Sequence, residues 1–164
     1  MTAIGYPTPK WLEESARIYR ADPAVQKELE KVTVKIAFRI KADPAWGLEK
    51  DLLFWTVVEK GELKDLRFIS EAAAKQDAQY IMAATPQEWK KVLRKDAKVL
   101  SELMLRKIVL EQGSMAEALG LMPHAPTLVN VLTKAELRFP DEMSPEELAG
   151  HRKTIQDFRA SQGV

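Results

Sequence analysis

Two histidines, no cysteine and seven isolated glycines are all the chain offers for metal, thiol or phosphate chemistry. His124 and His151 sit in different local contexts and do not pair at helical spacing, so a metal centre would need carboxylates gathered from distant segments. His124 reads as a loop residue and His151 as a surface residue of a helix. No serine occupies a Gly-x-Ser-x-Gly elbow, and no glycine spacing builds a phosphate loop or a dinucleotide fingerprint. The carboxylate pairs Glu13-Glu14 and Glu146-Glu147 are adjacent, so on a helix they diverge and read as solvated first-turn charges. No residue is assigned a catalytic or metal-binding role, and no cofactor is expected.

Two other groups of side chains remain. Lys90, Lys91, Arg94, Lys95 and Lys98 form a basic cluster, with Arg106 and Lys107 further along. Such a cluster is either a solvated face or a partner for an anionic headgroup, a carboxylate or a coenzyme A phosphate, with Lys91 and Arg94 as the headgroup candidates. The second group is apolar, with six methionines and four tryptophans. Met115, Leu121 and Met122 lie near Pro123 and Pro126, while Met82 and Met104 come from the preceding elements. Methionine adapts to ligands of different shape, but it also packs as ordinary core, and composition leaves both readings open.

Composition narrows the partners. A chain of 164 residues fits one domain and buries roughly 68–70% of the surface its unfolded form exposes. Twenty-five Lys and Arg against 24 Asp and Glu leave a net charge of +1. That balance lacks the broad positive field used to bind nucleic acid. The N-terminus shows no basic segment followed by an apolar one, and no window approaches the length of an apolar membrane span. The absence of cysteine fits a reducing compartment. A soluble, cytoplasmic protein is the expectation.

The elements that must position any site follow from periodicity and caps. Thr8-Pro9 and Asp22-Pro23 predict two short N-terminal helices with stripes Trp11, Leu12, Ala16, Tyr19 and Val25, Leu29, Val32. From Val32 to Ile40 apolar and polar residues alternate, which predicts a half-buried strand. Leu52 to Val58 is apolar on both faces and reads as a central strand. Lys60-Gly61 turns it into a third strand, Leu63 to Ile69, and Ala78 to Ala84 is a fourth. The short connections predict an antiparallel meander.

Thr85-Pro86-Gln87-Glu88 is a capping box opening a helix with Trp89, Leu93, Ala97, Leu100 and Met104 on one side and a break near Lys95-Asp96. Arg106 to Glu111 reads as a fifth strand, although Leu103 to Leu110 also suits a continued helix. Ser114 caps a helix with Met115, Ala118, Leu119 and Met122 as its buried stripe. Another helix from Pro126 presents Leu128, Leu132 and Ala135. A second capping box, Ser144-Pro145-Glu146-Glu147, opens a last helix with Leu148, Ile155 and Phe158 on one face.

This order of elements resembles the sterol-carrier-protein family, the nonspecific lipid-transfer domain. The likeness spans about Val32 to Leu132. Its residues are the strand Leu52-Leu53-Phe54-Trp55-Thr56-Val57-Val58 ending at Gly61, the strand Gln79 to Ala84, and Thr85-Pro86-Gln87-Glu88-Trp89-Lys90-Lys91-Val92-Leu93. Leu105 to Gly113 and the apolar tail Met115 to Leu132 follow. The resemblance implies an α/β (α+β) fold in which a five-stranded, largely antiparallel sheet and covering helices enclose a hydrophobic tunnel. It also implies binding of fatty acids, acyl-coenzyme A, sterols or other lipids without a cofactor.

On this resemblance the ligand-binding candidates are Phe38, Phe54, Met82 and Met104, then Met115, Leu119, Met122, Leu128 and Leu132 of the C-terminal covering segment. Residues 1–140 form the lipid-binding domain, with N-terminal helices over 9–31, and 141–164 form a helical extension packing on it. That extension exceeds the family's minimal domain and would either block or lengthen the tunnel. The late strand also departs from the family, with Arg106-Lys107 where a Gly-Lys pair is expected. The expected partner is a lipid or other apolar small molecule, with transient membrane contact and a homodimer left open. The rival readings are a packed protein-interaction module, marked by an exposed face on Leu148, Ile155 and Phe158, and an accessory domain holding an apolar substrate for a separate enzyme.

Overall fold

Alternation from Val34 onward places Val34, Ile36, Phe38 and Ile40 on one face of a central strand, and the rest of the architecture is built around it. The computed structural model describes residues 3–164. The chain opens with β1 (Ile4–Gly5), α1 (Pro9–Ala21) and α2 (Pro23–Glu28), then enters β2 (Val34–Ile40). Asp22 accepts from the Ala24 amide at 3.0 Å and caps α2. The Thr8 hydroxyl instead donates to the Gly5 carbonyl at 2.7 Å. The predicted α1 stripe of Trp11, Leu12, Ala16 and Tyr19 is buried.

After a 3-10 turn at Pro44–Trp46 come β3 (Leu52–Glu59) and β4 (Glu62–Ile69). The two-residue turn between them holds Lys60 at φ 49° and Gly61 at φ 79°, the left-handed pair that matches strand twist. A Cβ on Gly61 would lie 2.5 Å from the Gln26 carbonyl oxygen, so close approach to α2 also requires glycine there.

The sheet order is β4-β3-β2, then β5 (Tyr80–Ala84) and β6 (Val109–Gln112). The expected meander is corrected here. β5 does not continue antiparallel from β4 but pairs parallel with β2, in the register Phe38 to Met82. The reason is α3 (Glu71–Asp77), capped by Ser70 accepting from the Ala73 amide at 3.1 Å. A parallel neighbour needs such a crossover. The other three pairings are antiparallel, so the sheet is five-stranded and mostly antiparallel.

The helix after Thr85 divides as expected near Lys95, whose φ of 63° ends it. Its parts are α4 (Pro86–Leu93) and α5 (Val99–Met104). Thr85 accepts from the Glu88 amide at 3.2 Å, but the Glu88 carboxylate turns to Lys91 at 3.2 Å and leaves the reciprocal half of the box unformed. Arg106, at φ 60°, closes the turn after α5. The last strand of the sheet therefore starts at Val109 rather than Arg106.

Then follow α6 (Met115–Leu121), a 3-10 turn at Met122–His124, α7 (Ala125–Thr133), β7 (Leu137–Arg138) paired parallel with β1, and α8 (Pro145–Gln162). α8 lies on the body. Ile155 and Phe158 are buried and Leu148 half-buried, Phe158 stacks on Phe68 with centroids 5.0 Å apart, and Arg159 donates to the carbonyls of Lys50 and Asp51. The face that an interaction module would expose is thus covered. His151, read as a surface residue, is 7% exposed, because it turns inward against Gly5. Burial lowers its pKa, against the opposing hydrogen bond at the Tyr6 backbone.

The sheet separates two cores. Ala37, Leu53, Trp55, Ile69 and Ile81 pack with Ala74 and Ala78 on the α3 side. The larger cluster, on the opposite face, includes Ile36, Phe38, Phe54, Met82, Trp11, Trp89 and Leu132. Arg39 faces the α3 side and is buried there. Its guanidinium donates to Glu111 at 2.8 Å and to Asp51 and Glu71 at 3.1 Å. Burial works against its charge, and these carboxylates outweigh that cost and hold the group firmly protonated.

Candidate functional site

The larger core is not filled. A cavity of about 110 Å3 lies between the sheet and the helices that cover it. Its floor is one face of two strands, Val34, Ile36 and Phe38 of β2 and Phe54, Thr56 and Val58 of β3, with Met82 of β5 beside them. Period-2 alternation puts these residues on one face. Trp11 of α1 and Trp89, Val92 and Leu93 of α4 form the walls, and Leu29 and Val32 close the end near α2. Leu121, Met122, His124, Leu128 and Leu132 form the roof.

Aromatic rings fix the shape of one end. Phe38 stacks on Phe54 at 5.0 Å, Trp11 meets the edge of Phe54 at 5.2 Å, and Trp89 meets Phe38 at 5.7 Å. The two indoles are anchored by their own N–H groups, Trp11 donating to the Leu132 carbonyl at 2.8 Å and Trp89 to the Arg39 carbonyl at 2.9 Å. Each bond satisfies a polar atom and leaves the ring's apolar surface facing the cavity.

Of the sequence-predicted residues, the structure brings Phe38, Phe54, Met82, Met122, Leu128 and Leu132 together in the lining. It places Met104 and Met115 at the surface, 55% and 43% exposed. Leu119 is half-buried and packs on the core outside the cavity. The break at Lys95 resets the rotational phase of α5, so spacing carried over from Trp89 points Met104 outward. On α6 the inward position belongs to Ala118, which is fully buried.

Neither headgroup candidate reaches the lining. Lys91 pairs with Glu88. Arg94 donates to Glu142 at 2.9 Å and to the Leu137 carbonyl at 3.3 Å, and lies over the Phe139 ring at 4.9 Å. Lys90 holds Asp141 at 2.9 Å. Lys90 and Arg94 therefore fasten α4 to the segment after β7. α8 contributes nothing to the lining, so the extension neither blocks nor lengthens the cavity.

Tyr6, Trp11, Thr56 and His124 also line the cavity, and the sequence alone does not mark them as site residues. The signal for Thr56 is its place in the middle of Phe54-x-Thr56-x-Val58 on one strand face. Among the described residues, no Asp, Glu, Lys or Arg lines the cavity. Burial pushes the Tyr6 phenol far above its ordinary range, so it remains neutral. Among the described residues, no cluster of His, Asp and Glu is arranged to hold a metal ion, and no helix is long and apolar enough to cross a membrane. The arrangement can enclose an apolar molecule.

No protein-family profile and no curated protein matches the chain. Solved structures do. A conserved hypothetical protein from Thermus thermophilus, described as a possible sterol carrier protein, superposes with a TM-score of 0.71 at 22% identity, over 80% of this chain and 90% of that one. Sterol carrier protein 2 superposes at 0.68 with 24% identity, over 78% of this chain and 97% of that one. The apo form of sterol carrier protein 2 from Yarrowia lipolytica gives 0.50 at 11% identity, covering 74% and 88%.

Proposed function

We propose that this chain, which has the sterol-carrier-protein fold, is a non-catalytic carrier that holds one apolar ligand in the cavity between sheet and covering helices. The observation that carries the reading is the unfilled, uncharged cavity in a core that natural proteins otherwise pack closely. On the scale of a cavity of about 150 Å3 that takes up one benzene, 110 Å3 accommodates about four to five methylenes, and a longer chain requires the covering helices to yield. Their withdrawal from water is worth roughly 3–4 kcal/mol before ordering costs, and each further methylene taken up adds about 0.8 kcal/mol. Micromolar binding needs a net of about 8 kcal/mol, so a ligand of that affinity displaces the roof and buries a longer chain.

Contact with a membrane during exchange belongs to the same reading. Leu100, Met104, Leu105, Val109 and Met115 are large apolar side chains left exposed around α5, β6 and α6. The exposed cations Lys95, Lys98, Arg106 and Lys107 lie among them in sequence. Apolar and basic side chains together suit an anionic lipid surface. Mass spectrometry of a solvent extract of the natively purified protein tests the function. A stoichiometric lipid supports it, whereas an empty extract and no uptake of a fluorescent fatty acid by delipidated protein refute it.

A further inference from the structure

We infer that the ligand of this cavity is an uncharged amphiphile whose hydroxyl or carbonyl oxygen hydrogen-bonds to Thr56. The inference rests on the carrier reading and specifies its ligand. Thr56 is 1% exposed, stands midway along the cavity floor between Phe54 and Val58, and its buried Oγ1 has no hydrogen-bond partner among the described residues, so rotation about χ1 would turn it toward a ligand. A buried hydroxyl without a partner is unfavourable, and valine would fill the same space without that cost. A partner supplied by the ligand removes the deficit. Because a hydroxyl both donates and accepts, it serves an alcohol or a carbonyl equally.

The same surroundings disfavour a carboxylate. No Lys or Arg lines the cavity, and the cations Lys91 and Arg94 are engaged with Glu88 and Glu142. A bare carboxylate beside Thr56 would lose its hydration and gain no counter-ion. His124 marks a second polar point, on the α2 side of the roof. Its Nδ1 is buried and unpartnered, 3.9 Å from the Glu28 carboxylate. That neighbour would repel an anion and tolerates a neutral group.

Isothermal titration of delipidated protein at pH 7.5 with 1-decanol, decanoate and decane tests the assignment. The wild type is expected to bind decanol about tenfold or more tighter than decanoate. Thr56→Val is expected to weaken decanol about three- to tenfold, the worth of one neutral hydrogen bond, while leaving decane unchanged. Thr56→Ser, which keeps the hydroxyl, should retain the wild-type ratio of decanol to decane and supplies the comparison if the valine variant fails to fold. Tighter binding of decanoate than decanol overturns the proposal, as does an unchanged decanol affinity in Thr56→Val or a lost preference in Thr56→Ser. Failure of the wild type to bind even decane overturns the carrier reading itself, a result distinct from loss of selectivity.

Discussion

Replacing Met122 with tryptophan should close the cavity while leaving the fold in place. Met122 comes from the roof, where a flexible thioether gives way to a rigid indole that brings roughly two to three methylenes of extra bulk. Space for about four to five methylenes shrinks by about half, and the ligand forfeits about 2 kcal/mol of apolar contact. A dissociation constant about thirtyfold weaker follows for a ten-carbon probe. Overpacking of a filled core costs about 1–3 kcal/mol, and here the empty space offsets part of it. The assay is fluorescence displacement from delipidated protein, with circular dichroism melting to verify the fold. Met115→Trp is the control, because that side chain is at the surface and its replacement should leave affinity unaltered. A folded Met122→Trp protein with wild-type affinity would refute the placement of the ligand.

Acid should loosen α8. Burial depresses the pKa of His151, so its contribution to stability is present above the ordinary histidine value near 6.5 and lost as pH falls through it toward the lowered one. The melting temperature should drop more between pH 7.5 and 5.5 for wild type than for His151→Leu, and parallel curves would contradict the argument. Glu102 titrates in the opposite sense. A hydrogen bond to Glu88 and then burial raise its pKa, so its contribution is full at low pH and is lost as pH rises through the raised value. Glu102→Gln keeps a donor toward Glu88 without the charge, and its denaturation midpoint at pH 7 should exceed that of wild type; a lower one would speak against the shared proton. Finally, replacing both Met104 and Leu105 with glutamate should weaken binding to phosphatidylglycerol-containing vesicles several-fold, in a salt-dependent manner, with ligand affinity in solution unchanged. Vesicle binding that persists would locate the membrane-facing surface elsewhere.

Features with a strong local cause are readable from the sequence. The alternation around Phe38, the turn at Lys60-Gly61 and the cap at Ser144, where the hydroxyl accepts from the Glu147 amide at 3.2 Å, each follow from a few adjacent residues. α3 is not readable, since Glu71-Ala72-Ala73-Ala74-Lys75-Gln76-Asp77 buries only Ala74 and shows no apolar stripe. With it goes the parallel placement of β5, which no local signal encodes. The same limit explains the site. Strand alternation places Phe38, Phe54 and Met82 on the cavity face, because β2, β3 and β5 each run as one unbroken strand and keep their alternation. Helical phase does not survive the break at Lys95, so spacing assigns Met104 inward and the structure turns it outward; on α6 the buried position is Ala118, and Met115, the first residue of that helix, stays at the surface. Lys90 and Arg94 are visible as charge, but their acidic partners Asp141 and Glu142 lie about fifty residues away in sequence.

The guanidinium of Arg39 has a mechanical consequence for how a ligand exchanges. One side chain on the central strand grips the loop before β3 through Asp51, the crossover helix through Glu71 and the edge strand through Glu111. Peeling away any of the three leaves charge unpaired at a buried site, so the sheet yields as a unit or not at all. Among the described residues, the covering segment from Met115 to Thr133 has no comparable ionic anchor to the floor. It rests on apolar contacts, on the Leu132 carbonyl held by Trp11, and on the Tyr80 phenol donating to Glu117 at 3.2 Å. Stiffness is thereby confined to the floor of the cavity and compliance to its roof. In the proposed carrier a molecule would leave by lifting the roof, and the strands that shape its pocket would remain set for the next one.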